Sequence, residues 1–399
     1  MSLRCIHPKS TIEIRSTGEA MLCCESRTVM KKSDGSDFNI AHDSIELAWN
    51  NPLRSEVNDA LERGERHSNC NQCWIMEDAG ITSKRLRDTN NRPKNDLDNL
   101  RDDQPVWLDL KIGNICNIRC RTCWAGSSTK WMRETYDLYT DKTIPYRQFA
   151  KQYDNHKKTL SADNESWQKI EEWLPNLRYI EFYGGEPMYN DHHWNILYKA
   201  IEIGAAKNIA IHYNTNGTIF PKEHIDVYRY FKRVGISFSI DGIGKKFEYI
   251  RNDAKWEEVL DNIKQWQNSN PFDLENPSHY LTSLITVSLY NLHCCGDTHN
   301  FMSQLLKHNV SLNIVHDPNY FNMRNLPDLL KPEMTEHISK MFHNKDSATR
   351  INNFMNSNHF NPKLWKQFIS VTNMTDRYRN ENFQDTFPEY YQMLKPYIE

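Results

Sequence analysis

A chain of 399 residues with a formal net charge of −3 is long enough for a barrel-sized core plus one or two smaller modules. It lacks the strong basic excess of a nucleic-acid or anionic-membrane binder, and neither partner is expected. An apolar fraction of 38% that includes 11 Trp, 19 Tyr and 16 Phe excludes wholesale disorder. No stretch approaches the roughly 20 apolar residues that cross a bilayer, and Met1 to Asp34 holds no apolar run of a secretory leader, so a cytoplasmic protein is expected. In that setting ten clustered cysteines point to metal or cluster ligation rather than a disulfide framework.

Five of the ten cysteines fall in the first eighty residues: Cys5, Cys23, Cys24, Cys70 and Cys73. Between them, Thr11 to Arg15 and Ala20 to Cys24 read as two short strands joined at Ser16-Thr17-Gly18-Glu19. Asp43 to Trp49 and Leu53 to Leu61 read as helices. Residues 1–80 form a small cysteine-rich α+β module, and the polar segment 81–104, with its basic run Lys84, Arg85 and Arg87, reads as a solvated connector. From Val106 the pattern changes to apolar runs alternating with amphipathic segments, the signature of a parallel sheet built from strand-helix units. Strands are predicted at Val106 to Ile112, Tyr179 to Tyr183, Ile209 to Tyr213, Val234 to Ile240, Leu281 to Leu289 and Val310 to His316. Trp194, Leu197 and Ile201 follow the second strand at helical spacing, and Trp256, Val259, Leu260 and Ile263 follow the fourth. Six units make a partial barrel or an open wound sheet, and the expectation is an α/β fold, a partial (β/α)6 TIM-like barrel, over residues 105–320. The polar, aromatic stretch from Tyr136 to Ser166 reads as an insertion over one face, and residues 321–399 read as a helical extension without a motif.

Directly after the first barrel strand stands Gly113-Asn114-Ile115-Cys116-Asn117-Ile118-Arg119-Cys120-Arg121-Thr122-Cys123-Trp124. A C-x3-C-x2-C run lies at a strand's C-terminal end, where parallel-sheet enzymes place their chemistry. Three soft thiolates on one loop can take three corners of an iron-sulfur cubane and leave the fourth iron open to a small molecule. On spacing alone, a structural zinc site borrowing a fourth ligand, or simply buried thiols, remain alternatives. Gly184-Gly185-Glu186-Pro187 follows the second strand, Tyr213-Asn214-Thr215-Asn216-Gly217 ends the third, and Ser237-Phe238-Ser239-Ile240-Asp241-Gly242 ends the fourth. As local chemistry these are also ordinary strand-end turns.

Together these segments resemble the radical S-adenosylmethionine (SAM) superfamily, over roughly Val106 to His316. The resemblance implies a 4Fe-4S cluster on Cys116, Cys120 and Cys123, with SAM chelating the open iron. Gly184, Gly185, Glu186 and Pro187 match the segment that meets the SAM amino group. Asn216 and Ser239 match strand-end positions that reach its ribose and carboxylate, while Asp241 is read equally well as turn chemistry. Thr122 stands where the family often has an aromatic residue, and Trp124 is taken to shield the cluster or adenine instead. The implied chemistry is one-electron cleavage of SAM to methionine and a 5'-deoxyadenosyl radical that abstracts a substrate hydrogen. An electron donor such as a flavodoxin or ferredoxin is implied with it.

Cys5, Cys23 and the pair Cys70 and Cys73 can supply four thiolates to a second cubane. Cys23 is taken over Cys24 because adjacent side chains in an extended strand point opposite ways. The order of cysteine, hairpin, Cys-Cys, and a helix ending in Arg63-Gly64-Glu65 before C-x2-C resembles the twitch or shortened SPASM module that binds an auxiliary 4Fe-4S cluster. Family members commonly attach it after the radical domain, whereas here it comes first. Four such cysteines also suit tetrahedral zinc. Cys294 and Cys295 read as buried thiols. The functional expectation is a radical SAM enzyme that modifies a peptide or protein, or oxidises a small metabolite such as a sugar-like alcohol. The competing expectations are a zinc-stabilised, non-catalytic binding protein and an electron carrier.

Overall fold

The computed structural model describes residues 3–91, 100–111, 113–153, 165–272, 278–308 and 310–398. Ten strands occur among them: β1 (Thr11–Ile14), β2 (Ala20–Met21), β3 (Trp107–Lys111), β4 (Arg119–Cys120), β5 (Tyr179–Tyr183), β6 (Ala210–Thr215), β7 (Arg233–Ser239), β8 (Arg251–Asn252), β9 (His279–Val287) and β10 (Ser311–Ile314). Eight of them form one sheet in the order β10-β9-β7-β6-β5-β3-β1-β2. The six strands predicted for the barrel therefore lie side by side in chain order, and every pair between them is parallel. This is the partial-barrel arrangement, mostly parallel and open at β10. Ile112, the last residue of the predicted first strand, lies outside the described residues.

The alternation along the strands separates two chemically different faces. In β5 and β6, Ile180, Phe182, Ile211 and Tyr213 are buried and face the helices; Phe182 stacks on Tyr213 with ring centroids 4.9 Å apart. Trp194 in the helix Asp191–Glu202 fills the same layer, as the helical spacing of that segment predicted, and Trp266 in the helix Trp256–Gln267 is buried with it. The opposite face is polar. In register across four strands run Glu13, Asp109, Glu181 and His212, with Lys111 beside Tyr183 one step further along β3 and β5. Side chains this polar on the inner face of a barrel line a chamber rather than a hydrocarbon core.

The N-terminal hairpin is part of the same sheet. β1 pairs in parallel with β3, Thr11 opposite Trp107 through Ile14 opposite Leu110, and β2 pairs antiparallel with β1. The edge of β3 is thereby covered instead of exposed to stray pairing. The pairing is also ionic, since Lys111 Nζ lies 2.6 Å from the carboxylate of the fully buried Glu13. Two expectations are corrected here. The second hairpin strand ends at Met21, not Cys24, because the chain turns away through residues 22–25. The supposed connector contains the helix Lys84–Asn91, whose basic residues are engaged. Lys84 lies 3.4 Å from Asp88 and 3.5 Å from Glu181, and Arg85 lies 2.6 Å from both Glu77 and the carbonyl of Arg4. Residues 92–99 of that connector lie outside the described residues.

The insertion after the cysteine loop contains the helices Trp131–Tyr139 and Tyr146–Lys151, joined by a non-helical segment; its residues 154–164 lie outside the described residues. The C-terminal extension is helical as predicted, its longest helix running from Pro362 to Arg379. Among the described residues no helix is long and apolar enough to cross a membrane. Removing Lys111 leaves the Glu13 carboxylate buried without its cation. Lys111→Met is expected to cost about 3 kcal/mol in denaturant unfolding, most of it recovered when Glu13→Gln is added to the same chain. An undiminished midpoint in Lys111→Met would show that the hairpin does not depend on this pair.

Candidate active site

Gly113, at φ +67°, turns the chain off β3 into the cysteine loop. The loop is then pinned from within. The buried Asn114 donates its side-chain amide to the carbonyls of Ala125 and Tyr153, both at 3.2 Å, and its backbone carbonyl accepts from the N–H of Thr129 at 2.8 Å. Ser128 Oγ donates to the Ile118 carbonyl at 2.7 Å, and Trp131 Nε1 donates to the Cys120 carbonyl at 2.9 Å. β4 and β8 add a short antiparallel ladder in which Cys120 stands opposite Arg251. Cys116 is buried, and Cys120 and Cys123 are half-buried.

The three thiols affect one another electrostatically. Burial pushes Cys116 up to about 12, with the Cys120 charge adding to it. It also pushes Cys123 up, with Cys120 and Cys116 adding. Without a cation such a group stays protonated; three thiolates form together only where a metal displaces the protons. Soft, crowded sulfur donors fit iron of a cluster.

The Gly-Gly-Glu-Pro turn lies against this loop. A Cβ on Gly185, at φ +56°, would fall 2.4 Å from the Ile115 carbonyl oxygen, and one on Gly184, at φ +81°, would fall 2.6 Å from Lys111 Cβ. Both glycines are therefore demanded by conformation and by close approach. The backbone N–H of Glu186 donates to the Ile115 carbonyl at 2.8 Å. Its buried carboxylate accepts from Met188 N–H at 3.1 Å, Thr215 Oγ1 at 2.7 Å and Asn216 N–H at 2.7 Å. Burial raises its pKa, while the bonds from Asn216, Thr215 and Met188 oppose the rise. Three donors leave one of about four lone-pair positions for an ammonium. Pro187 opens the short turn Pro187–Tyr189 that follows. Asn216 reaches the loop directly, its Nδ2 lying 2.9 Å from Asn117 Oδ1 and 3.9 Å from Cys116 Sγ.

Gly184, Gly185, Glu186, Pro187 and Asn216 are thus gathered beside the cysteine loop. Ser239 ends β7, one strand further, and is half-buried. Trp124 is 53% exposed, its ring over Gly126 and edge-on to Tyr153 at 6.2 Å.

Two arginines in contact with the loop went unread in the sequence. Arg251 Nη1 lies 3.7 Å from Cys120 Sγ, and its Nη2 lies 2.7 Å from Asp241. Arg121, inside the cysteine motif, is fully buried over the Tyr249 ring at 3.6 Å and bonds both Asp376 and Glu381. Glu134 is likewise held between Arg119 and Arg379 at 3.4 and 3.0 Å. The C-terminal extension, which carries no motif, braces the cysteine loop through these charges. A motif search has no signal for them, because the partners lie more than 240 residues apart.

Beside the N-terminal hairpin, Cys5, Cys23, Cys70 and Cys73 line one small cavity, together with His7, Lys84 and Arg85. Burial pushes Cys5 and Cys70 up to about 12 and Cys73 up to about 11. Cys24 is not part of that lining. Cys294 and Cys295 are buried at the start of the helix Cys295–Leu306. The brace predicts a selective defect: Asp376→Ala with Glu381→Ala should lower iron from about eight to about four atoms per chain. Visible absorbance from the N-terminal group should be retained. Full iron loading would show that the loop holds its shape unaided.

Residues 110–273 match the radical SAM superfamily, and residues 5–74 match the SPASM iron-sulfur cluster-binding domain. No curated protein matches. Among solved structures, native anSMEcpe with bound AdoMet is 14% identical at a TM-score of 0.38, the alignment covering 59% of this chain and 58% of that one. The polyhistidine-tagged form of anSMEcpe with bound AdoMet gives 15% identity with the same coverage and TM-score. Streptococcus suis SuiB bound to S-adenosylmethionine is 12% identical at a TM-score of 0.29, covering 55% of this chain and 51% of that one. This chain thus spans less than two thirds of the length of those structures. The radical SAM match thus covers the cysteine loop and the barrel strands from the end of β3 through β7, the SPASM match covers the N-terminal cysteines, and in these two regions the chain is similar to radical SAM proteins with an iron-sulfur cluster-binding module.

Proposed function

We propose that the chain cleaves SAM reductively at the Cys116, Cys120 and Cys123 loop and uses the radical for a net oxidation of a polar substrate. The four-cysteine module would take up the second electron. The observation that carries the reading is the seat of the Gly-Gly-Glu-Pro turn on the cysteine loop, through the Gly185 approach to Ile115 and the Glu186 N–H bond to its carbonyl. When bound, the cluster and SAM supply one-electron scission of the sulfonium C–S bond and a 5'-deoxyadenosyl radical that takes a substrate hydrogen atom.

The chain's own residues supply binding and orientation. The Glu186 carboxylate, already fixed by Thr215 and Asn216, keeps an acceptor position for the SAM ammonium, a charge-assisted bond. Asn216, Ser239 and Trp124 are assigned to the remainder of the cofactor. The polar inner face, with Lys111, Glu181, Tyr183 and Asn214 on β3, β5 and β6, favours a polar substrate such as a peptide or protein side chain. A sugar-like alcohol is the second reading. It is favoured by Asp109, whose carboxyl is pushed up to about 8 by burial, beside the half-buried Glu181, a pairing suited to receiving a proton as a C–OH carbon is oxidised.

Loss of a hydrogen atom and a proton from the substrate leaves one electron. Cys5, Cys23, Cys70 and Cys73 are assigned to an auxiliary 4Fe-4S cluster that accepts it, since four thiolates close every iron and suit electron transfer over ligand binding. Lys84 links the two regions: it lines the four-cysteine cavity and lies 3.5 Å from Glu181 of the barrel. A flavodoxin or ferredoxin is the proposed donor of the first electron.

Anaerobic assays separate the parts of this reading. Wild-type protein should release 5'-deoxyadenosine from SAM only when a reductant is present. Cys120→Ala should lose this release by more than about a hundredfold, whereas Cys73→Ala should retain it and lose coupling to product. Release unchanged in Cys120→Ala would remove the cysteine loop from the reaction.

A further inference from the structure

We infer that Arg251, held in place by Asp241, is a positioning residue that raises the reduction potential of the cluster on Cys116, Cys120 and Cys123. The inference deepens the radical SAM reading and rests on it.

The backbone sets the geometry. β4 and β8 pair so that Cys120 faces Arg251, and the N–H of Arg121 donates to the Ile250 carbonyl at 2.7 Å on the other side of the pair. The Arg251 side chain then reaches Cys120 Sγ at 3.7 Å through Nη1. Nη2 lies 2.7 Å from Asp241 Oδ2. Asp241 is itself fixed: its other carboxylate oxygen accepts from Thr286 N–H at 2.8 Å, and its backbone carbonyl accepts from Asn291 Nδ2 at 3.0 Å. Arg251 and Asp241 are 8% and 2% exposed, so water screens neither charge well. Arg251 Nε is buried with no hydrogen-bond partner among the described residues, leaving a donor free beside the loop.

The electrostatic consequence has a definite sign. Reduction adds an electron to a cluster already carrying thiolate charge, so a cation hydrogen-bonded to a ligand sulfur stabilises the reduced state. Asp241, one contact further away, offsets part of that effect while aiming the guanidinium. Removing the cation should therefore make the cluster harder to reduce, and neutralising Asp241 should make it easier. A residue that merely held the loop together would move both variants in the same direction, with loss of iron.

Potentiometric titration of the reconstituted full chain, monitored by electron paramagnetic resonance, reads this. The cluster in question is identified as the signal that SAM perturbs. At a fixed potential, Arg251→Gln should lower the reduced-to-oxidised ratio by about threefold or more, Arg251→Lys should restore most of it, and Asp241→Asn should raise it. Equal potentials in wild type and Arg251→Gln, or a shift of Asp241→Asn in the same direction as Arg251→Gln, would overturn the inference while leaving the radical SAM reading intact. If Arg251→Gln fails to load iron, the sign of Asp241→Asn decides. A wild-type chain with no SAM-perturbed signal would overturn the radical SAM reading and this inference with it.

Discussion

Everything at the proposed active site depends on one close backbone approach, that of the Gly184-Gly185-Glu186-Pro187 turn to the carbonyl of Ile115. The turn ends β5 and the cysteine loop leaves β3. Because those strands are neighbours in register, the sheet itself brings the two segments together. Glycine is required because any side chain at position 185 would collide with the loop. The result is a carboxylate, Glu186, fixed beside the three thiols of the cysteine loop on a scaffold with little freedom to shift. Such preorganisation lets binding energy go into holding a cofactor rather than ordering the site.

Around that contact the rest of the chain acts as reinforcement from two directions. On one side the N-terminal hairpin continues the sheet through β1, so the four-cysteine cavity is joined to the barrel by backbone hydrogen bonds and by the buried Glu13 and Lys111 pair. On the other, the helix Pro362–Arg379 and the segment after it supply Asp376, Arg379 and Glu381 to Arg121 and Glu134 at the cysteine loop. Buried ion pairs add modest net stability, but breaking one leaves an uncompensated charge, which makes them effective at fixing a single arrangement. A module placed before the barrel rather than after it is thus accommodated by strand pairing at the β3 edge.

Much of this was legible because it is local. All six barrel strands were readable from apolar runs, and the cysteine loop and the Gly-Gly-Glu-Pro turn from contiguous motifs. Trp194, Trp256, Val259 and Ile263, read as helix faces, are buried in the structure. What escaped notice depends on distant partners. Lys84, Arg85 and Arg87 look like a solvated basic run until the helix Lys84–Asn91 sets Lys84 and Arg85 against Glu181 and Glu77. Arg121 looks like an incidental residue between cysteines until the tail supplies its carboxylates. Two-residue strands such as β4 and β8 have no periodicity to detect, and the pairing of Cys120 with Arg251 was hidden for that reason. Cys23 was taken over Cys24 from strand alternation, yet β2 stops at Met21. Cys23 lines the cavity with Cys5, Cys70 and Cys73 from the turn that follows β2, where strand alternation does not apply.

The central claim is that Cys116, Cys120 and Cys123 would hold a cluster with one iron free to bind SAM, beside the carboxylate of Glu186. Electron-nuclear double resonance on the reduced protein, with SAM labelled with 15N at its methionyl amino group, addresses it directly. The account expects a resolved nitrogen coupling to the cluster that disappears in Cys120→Ala. A fully loaded, reduced cluster with no nitrogen coupling in the presence of saturating SAM would contradict it.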